Sequence, residues 1–119
     1  MRPWIVLALQ LWLIGPVLAA DWYTDYTAAR AAASKRNVPL LIKFDTAGCV
    51  WCRRQDDELS RMDLSKCVLL KGSPELAGEC GVTSYPTMIA ANPDGYVKDR
   101  LVGFHGAADV QKALDRAKP

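Results

Sequence analysis

The chain has 119 residues, of which 50% are hydrophobic and 24% are charged. This length allows one compact domain, and it excludes a second domain, a repeat array and a long disordered tail. The formal net charge is only +2 and no basic stripe is present, so nucleic-acid binding has no electrostatic support. The four cysteines are the most informative residues, and their role as disulfides or as thiols depends on the redox compartment.

The chain begins with the layout of a secretory signal peptide, which we assign to residues 1–20. An arginine gives a short positive segment, residues 4–18 are almost wholly apolar, and small residues follow at Ala19 and Ala20. We expect cleavage after Ala19 or Ala20, leaving one domain over residues 21–119 in an oxidising compartment where disulfides persist. An uncleaved membrane anchor is the alternative, although the apolar run is shorter than the roughly 20 residues that span a bilayer.

Beyond the leader, apolar runs, helix caps and breakers predict alternating helices and strands. Helices are expected over residues 23–36, 52–62, a short segment from 73 or 74 to 80, and 106–118. Strands are expected over residues 40–44, 67–70, 87–91 and 96–102. Because Asn92-Pro93-Asp94-Gly95 is a strong turn signal, the last two strands should form a hairpin. The pattern predicts an α/β fold, with a mixed central sheet of about four strands flanked by helices on both faces.

The segment Cys49-Val50-Trp51-Cys52 lies where a buried strand ends and a helix begins. The free N–H groups and partial positive charge of a helix start favour a thiolate at Cys49. Cys52 follows about one helical turn later on the same face, so its sulfur can reach that of Cys49. Cys49 is therefore the predicted nucleophile, and Cys52 is the predicted resolving thiol that releases a mixed disulfide.

Two other roles for this cysteine pair stay open. A zinc site needs two further ligands, whereas the chain has one histidine, His105, and no second CxxC segment. We therefore expect no metal site. A static structural disulfide is the other role, although so small a ring closes little chain and contributes little stability.

The sequence resembles the thioredoxin superfamily over residues 25–117, and residues 28–52 are most similar to its small exported, periplasmic bacterial members. The resemblance rests on motifs in the family's order: a strand ending in Phe44, residues 47–52, Tyr85-Pro86-Thr87, Asp94-Gly95 and Val102-Gly103-Phe104. It implies a thioredoxin-like fold with a CVWC active site. It also implies thiol–disulfide exchange with protein cysteines and no bound cofactor, since the cysteine pair itself carries two electrons.

The resemblance also assigns residues around the cysteine pair. Pro86 would be the family's cis-proline facing the cysteines, and the backbone of Tyr85 would hydrogen-bond an incoming extended peptide. Gly48 stands where thioredoxins usually have a tryptophan, so Trp51 is expected to supply part of the apolar platform beside Cys49.

Lys43 stands six residues before Cys49, where the family's reductants keep a buried aspartate. A protonated lysine cannot accept the proton of the resolving cysteine. If buried, it favours nearby thiolates and hence a more oxidising disulfide, which would make it a tuning residue. The alternatives are that Lys43 reaches solvent or pairs with Asp45, two residues along the same strand face.

Cys67 and Cys80 lie thirteen positions apart, outside the CxxC segment. Exported chains rarely keep free thiols and the cysteine count is even, so we expect a Cys67–Cys80 disulfide that contributes roughly 3 kcal/mol. The alternatives are two separate buried thiols, or a second redox relay that passes electrons to Cys49 and Cys52.

The favoured function is an exported thiol–disulfide oxidoreductase, with the direction of electron flow left open. Val50-Trp51, followed by Arg53 and Asp56-Asp57-Glu58, is similar to periplasmic members associated with sulfur oxidation and cytochrome assembly. As a reductase the protein would need a redox partner, expected to be a membrane-anchored reductant, and we expect the chain to be monomeric. The alternative function is binding or delivery of Cu(I), which soft thiolates suit. Beyond Met1 only Met62 and Met88 are present, so no methionine-rich loop supports this alternative.

Overall fold

The computed structural model describes residues 21–119, so the expected signal peptide lies outside the described residues. The strands are β1 (Trp22–Tyr23), β2 (Leu40–Phe44), β3 (Val68–Lys71), β4 (Thr87–Ala91) and β5 (Val97–Val102). The helices are α1 (Tyr26–Arg36), α2 (Val50–Ser60), α3 (Pro74–Glu79) and α4 (Ala107–Arg116). None of the helices within residues 21–119 combines the length and the apolar character that crossing a bilayer requires.

The strands form one mixed sheet in the order β1-β3-β2-β4-β5. β1, β3 and β2 run parallel, and β4 is antiparallel to both β2 and β5. The α/β fold, the mixed sheet and the final hairpin are confirmed, but the sheet has five strands and not about four. The additional strand, β1, has only two residues, too few for a periodic pattern, and it forms because Trp22 and Tyr23 pair with Leu69 and Leu70.

Local caps explain where α1 begins and ends. The side chain of Asp25 accepts the backbone N–H of Ala28 at 2.9 Å, so the helix starts at Tyr26 and not at residue 23. Asn37 adopts a left-handed conformation with φ of 57°, and its backbone N–H bonds carbonyls of the last turn. The other predicted elements lie within two residues of their expected bounds.

The two faces of the sheet carry separate hydrophobic clusters. The face covered by α2 and α4 buries Leu41, Leu59, Leu69, Met88, Val110 and Leu114. The face covered by α1 and α3 buries Ala29, Ala33, Leu40, Phe44, Leu70, Ala77 and Ile89. All residues of β2 and β4 are buried, as expected for central strands covered on both sides.

The expected Cys67–Cys80 disulfide is wrong, because the structure contains both residues as free thiols. Cys67 belongs to the cluster under α2 and α4, whereas Cys80 packs at the margin of the cluster under α1 and α3. The sheet therefore lies between the two sulfurs. Burial raises the pKa of the Cys67 thiol to about 11, and burial also raises the pKa of Cys80. Both shifts lower the thiolate fraction at neutral pH, which does not favour a second redox relay.

We expect the oxidised protein to retain two thiols, at Cys67 and Cys80. Alkylation of the native protein should modify the half-buried Cys80 before the buried Cys67. Reaction at Cys67 should accelerate as the pH approaches 11, because the thiolate is the reacting form. Peptide mapping by mass spectrometry measures both sites. A peptide that links residues 67 and 80 would contradict the structure.

Candidate active site

The cysteine pair lies at the N terminus of α2. Cys49 and Cys52 form a disulfide with a Cα–Cα distance of 5.2 Å. Cys49 is the N-cap residue, and its Sγ accepts the backbone N–H of Cys52 at 3.0 Å. The sulfur therefore occupies the place of an ordinary capping oxygen, where free N–H groups and the helix dipole stabilise negative charge. Cys49 is partly exposed, whereas only 4% of Cys52 is exposed, so the predicted nucleophile is the more accessible sulfur.

The sheet register brings the downstream motif to the same end of the molecule. Phe44, at the end of β2, pairs with Thr87 at the start of β4, and Thr87 pairs with Val102 at the end of β5. The Tyr85–Pro86 peptide bond immediately before β4 is cis, as the resemblance implies. The carbonyl oxygen of Pro86 accepts the N–H of Gly103 at 2.8 Å, which ties the loop after β5 to this edge.

An aromatic platform, formed by Trp51 and Phe104, lies beside the cysteine pair. The two ring centroids are 5.7 Å apart with an interplanar angle of 50°. Trp51 is 51% exposed and Phe104 is 38% exposed, so both rings offer apolar surface to a ligand. Trp51 is thus exposed between the two cysteines and in contact with a second aromatic ring. The sequence marks Phe104 only as part of a family motif and does not reveal its contact with Trp51.

Helix α2 holds the loop that carries Phe104. The Gln55 side chain is fully buried, and it donates to the His105 carbonyl oxygen at 2.8 Å and accepts the His105 N–H at 2.9 Å. Glu58 accepts the N–H of Ala107 at 2.9 Å, which caps α4 where Gly106 has no side chain to do so. Sequence reasoning missed both residues. The helical spacing of Gln55 from the buried Cys52 was the available signal, because it places an amide on the buried face.

Lys43 is completely buried, and it is the centre of an ion cluster with Asp45 and Asp56. Its Nζ pairs with Asp45 Oδ1, lies 2.9 Å from Asp56 Oδ1 and lies 3.5 Å from the carbonyl oxygen of Cys52. The alternative in which Lys43 reaches solvent is therefore wrong, and the pairing with Asp45 is confirmed. Asp56 is a second partner that the sequence did not reveal. One ammonium and two carboxylates give the cluster a formal charge of −1, and its ammonium contacts the backbone of Cys52.

Comparisons with known proteins find similar solved structures but no matching family model. No protein-family model matches the sequence, and a search of curated proteins finds no match. Mitochondrial thioredoxin 3 from Saccharomyces cerevisiae is 25% identical with a TM-score of 0.64, over 81% of this chain and 94% of that chain. Chloroplastic thioredoxin z is 17% identical with a TM-score of 0.66, over 86% of this chain and 97% of that chain.

A third solved structure, described as DsbH oxidoreductase, is 20% identical with a TM-score of 0.66, over 85% of this chain and 86% of that chain. The coverage is nearly complete on both sides, so the similarity extends to the whole domain. This chain therefore has a thioredoxin-like fold, and it carries a CxxC disulfide at the start of a helix.

We predict that the ion cluster sets the reduction potential of the cysteine pair. Lys43→Met removes the cation and leaves two carboxylates, so thiolates become less favourable and the disulfide becomes harder to reduce. Asp56→Asn should shift the potential in the opposite direction. We expect shifts on the order of 10–30 mV, where 30 mV corresponds to about 1.4 kcal/mol.

Equilibration with glutathione or dithiothreitol buffers measures these potentials. Asp57→Asn is the matched control, because Asp57 is the exposed neighbour of Asp56 and forms no ion pair with a residue that the structure describes. Equal potentials in all four proteins would show that the cluster does not act on the sulfurs.

Proposed function

We propose that this chain is a thiol–disulfide oxidoreductase that exchanges disulfides with protein cysteines through Cys49 and Cys52. The observation that carries the proposal is the disulfide at the start of α2, in which Cys49 is the partly exposed helix cap and Cys52 is buried. The names of the structurally similar proteins, thioredoxins and an oxidoreductase, support the same activity.

The chemistry needs no bound cofactor. In the reducing direction, the Cys49 thiolate attacks a substrate disulfide, one substrate sulfur joins Cys49 and the other leaves as a thiolate. Cys52 then loses its proton and attacks the Cys49 sulfur, and the second substrate sulfur leaves. Two electrons pass from the cysteine pair to the substrate, and the same steps in reverse oxidise a substrate dithiol.

The loop before β4 supports binding of an extended peptide. The backbone N–H of Tyr85 has no hydrogen-bond acceptor among the residues that the structure describes, and Pro86, which follows it, is buried. An extended substrate segment can accept this N–H, as in other complexes that add a strand to a sheet. Tyr85 and Pro86 are thus assigned to substrate binding together with Trp51.

Binding of Cu(I) is the weaker candidate. Within residues 21–119, no group of three or more His, Cys, Asp and Glu side chains is placed to hold a metal ion. Met88 is fully buried in the core, and Met62 packs against the same hydrophobic cluster. No observation therefore favours a copper site, and titration of the reduced protein with Cu(I) compares the two functions directly.

Trapping experiments should assign the two sulfurs. With Cys52→Ser, mixed disulfides with insulin should accumulate on Cys49, because the resolving thiol is absent; with Cys49→Ser they should not form. Both variants should lose insulin reduction. Each is made with Cys80→Ser, so that the half-buried thiol contributes no background. Faster alkylation of Cys52 than of Cys49 in the reduced protein at neutral pH would reverse the assignment.

We also propose that the protein acts after export, in the periplasm, with a membrane-anchored redox partner, in sulfur oxidation or cytochrome assembly. The leader-like pattern of residues 1–20 supports export. Expression of the full chain should yield a periplasmic protein that begins at Ala20 or Asp21. N-terminal sequencing after osmotic shock measures this, and an intact chain in the cytoplasmic fraction would refute it.

A further inference from the structure

Arg54 carries a positive charge beside the aromatic platform. Its guanidinium carbon lies 4.7 Å from the Trp51 ring centroid, and the residue is exposed. Helical spacing brings Glu58 within reach of Arg54, but Glu58 instead accepts the Ala107 N–H and pairs with Arg61. None of the ion pairs within residues 21–119 includes Arg54.

An arginine held over an aromatic ring is well prepared to bind a carboxylate. The contact with Trp51 restricts the side chain, so less conformational entropy is lost when a ligand binds. A guanidinium can donate two parallel N–H groups to one carboxylate. The charge near the platform therefore favours an acidic ligand.

The platform itself is held in place before any ligand binds. Phe104 contacts Trp51, and its loop is fixed by the two hydrogen bonds between Gln55 and the His105 backbone. Val50 and Val102 are each about half exposed and add apolar surface at this end of the molecule. A ligand thus meets a preformed apolar surface with a cation at its margin, which lowers the cost of binding.

Trp51 relates this cation to the reacting sulfur. The ring that Arg54 contacts belongs to the residue two positions after Cys49. A carboxylate bound to Arg54 would therefore lie within a few residues of a substrate cysteine bonded to Cys49.

We propose that Trp51, Phe104 and Arg54 form a docking subsite for protein segments with an apolar side chain and an acidic side chain close to the reactive cysteine. This inference rests on the proposed function and names a substrate class for the same site. The aromatic platform binds the apolar side chain, and Arg54 binds the carboxylate.

Three peptides test the subsite. All three contain an apolar residue and a cysteine, and they differ only in having Glu, Gln or Lys two positions from that cysteine. The cysteine of each peptide is joined by a disulfide to a chromophoric aromatic thiol. Cys49 of the reduced protein attacks the peptide sulfur and the aromatic thiolate leaves, which absorbance measures. Cys52 then displaces the peptide thiol and closes the Cys49–Cys52 disulfide. We expect the Glu peptide to react about two- to fivefold faster than the Gln peptide, and the Lys peptide to react more slowly than both.

The rate with the Glu peptide divided by the rate with the Gln peptide does not change when the general reactivity of the sulfur changes. Arg54→Gln should reduce this ratio to about one, whereas Arg53→Gln, which removes the same charge from the adjacent position, should preserve it. Phe104→Ala should slow all three peptides. Added salt should reduce the preference, because exposed charges are screened.

Equal rates for the Glu and Gln peptides with the unaltered protein would overturn the proposal. So would an equal loss of preference in the Arg53 and Arg54 variants, which would indicate a general effect of net charge. The symmetrical aromatic disulfide, which has no peptide, tests the oxidoreductase activity independently of the docking subsite. Failure to react with that compound and with every peptide would overturn the proposed function and this proposal with it.

Discussion

The antiparallel pairing of β2 with β4 is the constraint on which the candidate site depends. The cysteine segment follows one strand, the Tyr85–Pro86 segment precedes the other, and the two are far apart in the sequence. Five residue pairs, from Leu40 with Ala91 to Phe44 with Thr87, fix their register. Both strands are buried on both faces, so a slip by one residue would exchange the two hydrophobic clusters. The buried apolar area offsets the entropy of closing so long a loop.

Helix α2 supplies polar side chains that connect the site to neighbouring elements. Gln55 and Glu58 bind the backbone around α4, and Asp56 compensates the charge of Lys43. An unpaired ammonium in the core would cost several kcal/mol, so a lysine at this position requires acidic partners. These partners are Asp45, which directly follows β2, and Asp56, which lies in α2. The two aspartates outnumber the lysine, so the cluster that contacts the Cys52 backbone has a formal charge of −1.

The elements that sequence reasoning located are those whose signals are local. Continuous apolar runs predicted β2 and β4, helix caps and breakers predicted α1 with the correct end but a start three residues too early, and Cys49 and Cys52 were predicted at a helix start. The missed features are contacts between distant positions. β1 needs β3 as a partner, Gln55 meets a backbone fifty residues later, and Asp56 meets Lys43 across the α2–β2 interface. An even cysteine count could not reveal that the sheet separates Cys67 from Cys80.

The two free thiols also affect whether the disulfide of the oxidised protein can rearrange. Four cysteines allow several pairings, and exchange among them proceeds only through thiolates. With a pKa of about 11, Cys67 is ionised to roughly one part in ten thousand at pH 7. Burial raises the pKa of Cys80 in the same sense. The raised pKa values and the sheet between the two sulfurs therefore both act against disulfide scrambling, and they favour exchange at Cys49 and Cys52 over exchange at the other two cysteines.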